Sequence, residues 1–455
     1  MTHVKRPQVV IIGGGFGGLS AAQALKSAPV DVTLIDRRNF HLFQPLLYQV
    51  ATGSLSPGEI AAPLRGVLSK QKNARVLLGE VVDISPSINS IQLADGATLN
   101  YDFLIVAAGA QSSYYGHEEW REWAPSLKSI EEATEIRHKI LYAFEVAERV
   151  SDPAARASWL TFAIVGAGAT GVELAGAIGE IARQTLKNDF RSIHPEEARI
   201  ILLDGGPRVL APFPEELSRK ANKALERLGV QVRTGVVVRG IDREGVTIAE
   251  GARELRLEAK TVIWAGGVAA PPIGSTLARS AGAETDKNGR IKVGSGLTLS
   301  GFRNIFVIGD LATCLDASGR PLPGVAQVAM QGGAYAAKAI TKRVKTGQEL
   351  PPFKYFDKGS LAVVGRAAAV ANVFGVKLSG LPAWLVWAFI HIMYIVEFRN
   401  KVLVLIQWAF QGLTFNRGAR LITGSSDTDF DFNEEMAAER GDATADREEP
   451  VGAIV

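Results

Sequence analysis

The sequence is almost without cysteine. Cys314 is the only one among 455 residues, and no CxxC pair is present. A disulfide framework and a dithiol redox centre are therefore both excluded. We expect Cys314 itself to be a small packing residue.

Long apolar runs are also missing. The polar start MTHVKR passes directly into the apolar segment Val9–Ile12, so no secretory signal is recognised and a cytosolic origin is expected. The apolar run Pro382–Val396 has 15 residues and is interrupted only by His391. A membrane-spanning helix needs roughly 20 such residues.

Charge is distributed unevenly along the chain. Residues 425–455 contain ten acidic residues and two arginines, about −8, whereas the whole chain carries +3, so the remainder carries about +11. An acidic tail with few large apolar residues is predicted to be disordered. The basic body suits an anionic membrane surface. No nucleic-acid-binding motif accompanies it, so no nucleic-acid partner is expected.

The N-terminal segment has the order strand, glycine-rich turn, helix, strand. Gly13, Gly15 and Gly18 follow the first apolar strand in the spacing GxGxxG, and Asp36 ends the second. In this context the glycines permit a tight turn, close approach of a pyrophosphate and close helix packing. Asp36 is then placed to accept a hydrogen bond from a ribose hydroxyl. The segment predicts a dinucleotide site.

The same pattern occurs a second time. Gly166, Gly168 and Gly171 follow the strand WLTFAIV, and Asp204 ends the next strand, ARIILLD. A carboxylate at this position repels the 2′-phosphate of NADPH, which favours NADH. Two dinucleotide sites suggest one nucleotide that is held permanently and one that exchanges.

Three further segments resemble the two-dinucleotide flavoprotein superfamily. TLSGFRNIFVIGD (298–310) is similar to its second FAD fingerprint, and YDFLIVAAGA (101–110) and AKTVIWAGGV (259–268) resemble the strands where the chain crosses between its domains. The resemblance implies that Asp310 binds the ribityl chain of FAD; a helix cap is the alternative. Members that reduce disulfides or oxidise sulfide use cysteines that this chain lacks.

Two motifs narrow the resemblance. NFHLFQPLLYQVATGSLSP (39–57) and PGVAQVAMQGG (323–333) are similar to signatures of type II NADH dehydrogenases, the non-proton-pumping NADH:quinone oxidoreductases. The resemblance covers roughly residues 5–424 and implies non-covalent FAD, NADH as co-substrate and ubiquinone or menaquinone as acceptor. It implies FAD contacts at Gly13, Gly14, Gly15, Phe16, Gly17, Gly18, Asp36, Arg37, Val81, Asp310, Ala326 and Gln327.

The resemblance also implies catalytic residues. Glu173 matches a family glutamate near the nicotinamide, and Gln327 and Gln331 match quinone-site glutamines. Gly332 stands where members often carry a further glutamine, so the group that hydrogen-bonds the quinone stays open. From the residues alone, Glu173 could be a first-turn carboxylate facing the helix dipole, and the glutamines could form one polar helix face. No metal site is expected, and His41 and His117 receive no role.

The C-terminal part predicts a membrane anchor. A stretch read as a small hairpin (361–380) precedes the apolar runs 382–396 and 402–410, which carry Trp384, Trp387 and Trp408 and are flanked by basic residues. This combination is typical of helices that lie in a bilayer interface. A core or dimer helix, or a single spanning helix, is the alternative.

These observations predict an α/β protein with two Rossmann-like dinucleotide-binding domains and a C-terminal amphipathic helical membrane anchor. We expect a homodimeric FAD-dependent NADH:quinone oxidoreductase, peripheral and monotopic on the cytoplasmic face of a bacterial inner membrane. The alternatives are a soluble NAD(P)H–ferredoxin or rubredoxin reductase and a membrane-tethered flavoprotein binding module. The predicted parts are 1–113 (FAD, first part), 114–290 (NADH), 291–345 (FAD, second part), 346–424 (hairpin and anchor) and 425–455 (tail).

Overall fold

The structure, a computed structural model, describes residues 6–414 and 416–423. The acidic tail predicted over 425–455 lies outside the described residues. Two parallel sheets form the body, and a smaller antiparallel sheet with two helices follows them.

The N-terminal sheet has six strands from two distant parts of the chain. Its interior strands are apolar on both faces, as in Val9–Ile12, because helices or hairpins cover both sides of a parallel sheet. All neighbours are parallel except the first pair. The strand order is Thr298–Leu299, Phe302–Val307, Phe103–Val106, Gln8–Ile12, Asp31–Asp36, Ala74–Leu78.

Two helices pack closely over this sheet. Phe16–Ala24 and Ala326–Thr346 approach each other at glycines, because a Cβ on Gly333 would overlap the carbonyl oxygen of Gly17. The glycine turn after the first strand is thereby placed beside the N-terminus of the later helix.

The middle sheet has four parallel strands. Helices cover one face of its central strands, and an antiparallel hairpin sheet over residues 236–258 covers the other. Thr261–Trp264, the last strand in sequence, pairs with Thr161–Val165, the first in sequence. The strand order is Val230–Thr234, Arg199–Asp204, Thr161–Val165, Thr261–Trp264, and the helices are Ile130–Arg149, Pro153–Trp159, Ala169–Glu180 and Glu215–Arg227.

The chain crosses between the two sheets through paired short strands. Gln111–Ser112 runs out antiparallel to the returning Val268–Ala269. The helix Pro272–Ala281 then packs on the N-terminal sheet, where Leu277 shares a core with Val10. The chain therefore returns near residue 270, about 20 residues before the predicted boundary at 290.

The C-terminal sheet has three antiparallel strands, where a two-stranded hairpin was predicted. Ser360–Gly365, Ala368–Val373 and Val376–Gly380 form a meander. The second turn is tight because Phe374 and Gly375 both have positive φ, as a two-residue hairpin turn requires.

The helices Leu381–Tyr394 and Phe398–Thr414 complete the described fold. Within residues 6–414 and 416–423, no helix combines the length and the apolar content that crossing a bilayer requires.

The remaining elements are short. The three-stranded hairpin sheets are Val81–Ser85, Ser90–Leu93, Thr98–Asn100 and Val236–Asp242, Gly245–Glu250, Arg253–Glu258. The two-stranded pairs are Phe40–Leu42 with Ala61–Pro63 and Ile291–Lys292 with Ala312–Thr313, and the short helices are Leu47–Ala51, Pro57–Ile60 and Leu64–Leu68.

Candidate functional site

The first glycine turn is held by a carboxylate. Gly13 has φ +98° and donates its N–H to Ile35 O at 2.8 Å. Asp36 Oδ2 accepts from Gly14 N at 2.5 Å, and its Oδ1 accepts from Arg38 N at 2.7 Å. The helix beginning at Phe16 has no side-chain cap, so its first N–H groups are available to an anion.

A cleft of about 660 Å³ opens over this turn. It runs from Asp36 past residues 107–112 to Asp310, and Ala326 at the start of the later helix closes its far side. Its volume and its length suit an extended dinucleotide. Most of the predicted contact residues line it: Gly13, Gly14, Gly15, Phe16, Gly17, Asp36, Arg37, Asp310 and Ala326.

Three predicted contact residues do not line the cleft. Gly18 lies behind the turn, where a Cβ would overlap Gly13 O. Val81 is buried in the strand Val81–Ser85. Gln327 points to another segment, where it donates to Gly359 O at 3.1 Å and accepts from Lys358 N at 3.3 Å.

Asp310 is the unpartnered acid of the cleft. No described group hydrogen-bonds to its carboxylate, so it does not act as the helix cap considered above. Burial raises its pKa, and the positive charges of Lys128 and Arg290 oppose this shift. A half-buried carboxylate without a partner fits a ligand that brings hydroxyl donors.

The second glycine turn repeats the first almost bond for bond. Gly166 has φ +104° and donates to Leu203 O at 2.7 Å. Asp204 Oδ2 accepts from Ala167 N at 2.5 Å, and its Oδ1 accepts from Gly206 N at 2.6 Å. The helix Ala169–Glu180 again starts without a side-chain cap, at Gly168.

Gly171 has the same packing role as Gly18. A Cβ there would overlap Gly166 O. The second turn therefore has the same close contact between helix and strand as the first. Its helix N-terminus can likewise receive an anion, here on the middle sheet.

Glu173 lies in the second turn of its helix, so the first-turn interpretation of this acid is wrong. Its side chain is partly buried, and Val363 N donates to Oε1 at 3.4 Å. Burial raises the pKa of Glu173 to about 8, which keeps most of the group protonated at neutral pH. It faces a separate cavity.

This second cavity, of about 110 Å³, adjoins the cleft. Thr170 lines the cleft, and Glu173, one helical turn later, lines the cavity. Pro45 lines the cleft, and Tyr48, three residues later, lines the cavity. On both segments, residues three positions apart therefore line the two spaces.

Residues that the sequence did not single out form much of the cavity. Tyr48 and Gln49 lie within the quoted motif 39–57, which was the available signal. Glu180 and Arg417 form an ion pair at 3.0 Å, and Arg417 also donates to Ser54 Oγ at 2.8 Å. The C-terminal segment therefore closes one wall of the cavity.

Two of the predicted interfacial tryptophans are buried instead. Trp387 is 1% exposed and Trp408 is 8% exposed, and their rings lie 5.0 Å apart. Both line the cavity, as does the half-buried Trp384. Helix periodicity placed these indoles on the C-terminal helices, but only the packing shows that they face the middle domain.

Gln327 and Gln331 line neither the cleft nor the cavity. Gln331 donates to Phe356 O at 2.9 Å and accepts from Phe356 N at 3.0 Å, which ties the long helix to the segment before the meander. Gly332 faces the core near Leu297 and Ile308, so the departure from the family pattern lies away from both spaces. These contacts favour the polar-face interpretation.

The outward faces of the C-terminal helices are apolar. Phe389 is 67% exposed and Leu413 is 84% exposed. The exposed side chains are Leu381, Leu385, Phe389, Met393, Phe398, Val402, Leu405, Ile406, Phe410 and Leu413, here called the apolar face. Such a surface marks an interaction site.

Comparison with known proteins identifies the class first. Residues 7–333 match the pyridine nucleotide-disulphide oxidoreductase family, to which the chain belongs, and residues 358–417 match the NDH2 C-terminal domain. Within that class the chain belongs to the type II NADH:quinone oxidoreductases, as the motifs predicted. Two relatives of that name from Mycobacterium tuberculosis, Ndh and NdhA, are 47% and 48% identical over 92% of this chain and 91% and 90% of their own.

Solved structures show the same fold. NDH2 from Plasmodium falciparum in complex with NADH superposes with a TM-score of 0.82 at 22% identity, covering 92% of this chain and all of that one. The sulfide:quinone oxidoreductase from Aquifex aeolicus has a TM-score of 0.70 at 17% identity, with 90% and 96% covered.

Proposed function

We propose that this chain is an FAD-dependent oxidoreductase that oxidises NADH and reduces a membrane quinone without pumping protons. The observation that carries the proposal is the pair of carboxylate-clamped glycine turns on two sheets, beside a cavity with a protonated acid. Family membership supplies the substrate classes.

The cleft would hold FAD non-covalently. The turn at Gly13–Gly17 and the uncapped helix N-terminus receive the pyrophosphate, Asp36 the adenine ribose and Asp310 the ribityl hydroxyls. FAD held there would supply a hydride acceptor for the nicotinamide and an electron source for the acceptor. The chain's task is to hold the reacting groups in position and exclude water.

NADH would bind on the second turn. Its pyrophosphate lies at the N-terminus of the helix that starts at Ala169, and Asp204 accepts a ribose hydroxyl. Because Thr170 of that helix lines the FAD cleft, a nucleotide on this turn is directed towards the flavin. Asp204 would also disfavour NADPH by charge repulsion.

The quinone would be reduced beside the cavity of Glu173. Glu173 lines the cavity and Thr170, three residues earlier in the same helix, lines the cleft. Aromatic rings of the C-terminal helices wall the cavity. A protonated Glu173 can donate to a quinone oxygen as negative charge develops there. We assign Glu173 to the acceptor side on these grounds, and Gln327 and Gln331 to holding the neighbouring loop.

The apolar face would attach the protein to the cytoplasmic surface of a bacterial inner membrane, as a peripheral homodimer. Lys401 and Arg399 flank the apolar side chains, which suits an anionic interface. Attachment there brings the cavity, which the same helices wall, close to lipid-soluble quinone.

Half-reactions of the purified holoprotein test the proposal. NADH added without oxygen should bleach the yellow flavin, and ubiquinone-1 or a menaquinone analogue should restore the colour. Restoration only by ferredoxin or rubredoxin would indicate the soluble reductase class. Bleaching that no acceptor reverses at a useful rate would indicate a binding module.

A further inference from the structure

Three side chains form a hydrogen-bonded chain from the last helix to the cavity. Trp408 Nε1 donates to Gln49 Oε1 at 2.7 Å, and Gln49 Nε2 donates to the Tyr48 hydroxyl oxygen at 3.0 Å. All three side chains are buried, and all three line the cavity. The hydrogen bond between Trp408 and Gln49 joins residues that lie 359 positions apart in the sequence.

The donors and acceptors of these two hydrogen bonds can be arranged in only one direction. An indole N–H can only donate, so the oxygen of the Gln49 amide must face Trp408. The amide nitrogen then faces Tyr48 and can only donate, so the tyrosine oxygen must accept. The single hydroxyl proton of Tyr48 is consequently left for another partner.

That partner is absent from the described residues. No described atom accepts from the Tyr48 hydroxyl, although the residue is only 6% exposed. Burial raises the pKa of Tyr48 well above its usual value, so the proton stays on at neutral pH. A buried donor without an acceptor is costly unless a ligand supplies one.

We propose that the Tyr48 hydroxyl donates a hydrogen bond to a carbonyl oxygen of the electron acceptor, and that Trp408 positions it through Gln49. The inference rests on the proposed function, in which a quinone enters this cavity. Trp408 lies on the helix Phe398–Thr414, which carries part of the apolar face. The helix proposed to attach the protein to the membrane therefore also positions the hydroxyl that donates to the electron acceptor.

The test separates this role from general packing. Tyr48→Phe, Gln49→Leu and Trp408→Phe each break the chain while keeping most of the side-chain volume. Each should weaken binding of ubiquinone-1 to the oxidised holoenzyme about three- to tenfold in calorimetric titration, as the loss of one hydrogen bond predicts. The KM for ubiquinone-1 should rise in parallel.

Two rates should stay unchanged in these variants. Bleaching by NADH and reoxidation by ferricyanide, which has no carbonyl group, should stay at the wild-type rate in all three variants. Trp120→Phe is the matched control, since Trp120 is equally buried at 6% exposure and lies outside both the cleft and the cavity. It should bind ubiquinone-1 as the wild type does.

A double variant tests the positioning step. If Trp408 acts through Tyr48, then Tyr48→Phe combined with Trp408→Phe should lose no more affinity than Tyr48→Phe alone. Additive losses, or equal losses with ferricyanide, would overturn the proposal. A wild-type protein that neither binds nor reduces ubiquinone-1 would instead contradict the proposed function itself.

Discussion

Asp36 and Asp204 each combine a structural role in a glycine turn with a proposed role in ligand binding. Both oxygens of each carboxylate accept backbone N–H groups of the turn region, and in the proposed function each acid also accepts a ribose hydroxyl. The two donors reach different oxygens of each carboxylate, and an amide in its place would present an NH2 donor to one of them. In the proposed function each acid is therefore constrained by the turn as well as by the ligand.

We predict that Asp204→Ser narrows the preference for NADH over NADPH. The negative charge that repels a 2′-phosphate is removed, but the turn also loses its clamp, so the KM for NADH should rise about tenfold. Initial rates with both coenzymes check this. An unchanged ratio of the two kcat/KM values would show that coenzyme choice lies elsewhere.

Glu173 makes stability depend on pH. Its pKa is about 8 in the folded protein and 4.5 in the unfolded chain, so the folded state holds an extra proton between these values. The stabilisation is fully present below about pH 4.5 and is lost as the pH rises through about 8, at no more than about 1.4 kcal/mol per unit.

Glu173→Gln should remove this dependence, because the amide does not titrate. The free energy of unfolding of the variant should then decline less between pH 5 and pH 8 than that of the wild type. Urea unfolding of both proteins at several pH values measures the difference. Parallel curves would show that Glu173 titrates normally.

At the scale of elements, the N-terminal domain depends on two helices in near contact. The helices Phe16–Ala24 and Ala326–Thr346 meet at Gly17 and Gly333, and both begin at the cleft. Any side chain at this contact moves one helix N-terminus relative to the other. The glycines therefore set the geometry of the ligand site as well as the packing.

Gly333→Ala should destabilise the protein by about 1–3 kcal/mol through overpacking and should weaken FAD retention. Gly332→Ala is a control in the same helix, since its Cβ would make ordinary van der Waals contacts with Leu297 Cδ1 at 3.4 Å and Ile308 Cβ at 3.6 Å, and it should gain helix propensity. Thermal unfolding and the flavin-to-protein ratio after dialysis report both effects. Equal behaviour of the two variants would refute the close-contact argument.

At the scale of the whole molecule, the C-terminal helices have two faces with different partners. Trp387, Trp408 and Val404 pack into the large core of the middle domain. The opposite, apolar face has no partner among the described residues. Deleting the helices would expose that core, so the proposed anchoring role is better tested by substitution on the apolar face.

Changing Phe389, Leu405 and Ile406 together to Ser should release the protein from anionic vesicles while leaving NADH oxidation by ferricyanide intact. Burial of each such side chain contributes about 1.5–3 kcal/mol, so three losses are enough to detach a peripheral protein. Co-sedimentation measures binding. Leu78→Ser with Ile88→Ser, exposed elsewhere at 63% and 70%, should change nothing. Continued sedimentation of the triple variant would point to a protein interface.

The sequence by itself determined the two glycine turns, their terminal acids and the family. Each turn is a contiguous strand, loop and helix, so its geometry follows from local residue types: glycine at positive φ and an acid at the strand end. The largely apolar character of the helices Leu381–Tyr394 and Phe398–Thr414 is encoded in the same local way.

Tertiary structure alone decided which faces are buried and which residues share a cavity. The cavity gathers Tyr48, Glu173, Val363, Trp408 and Arg417 from five separate segments, and no local pattern relates them. Glu173 acquires its raised pKa, and Gln327 and Gln331 their loop contacts, only through packing. Desolvation and hydrogen-bond partnership depend on what the fold brings near, so the cavity arises from long-range contacts.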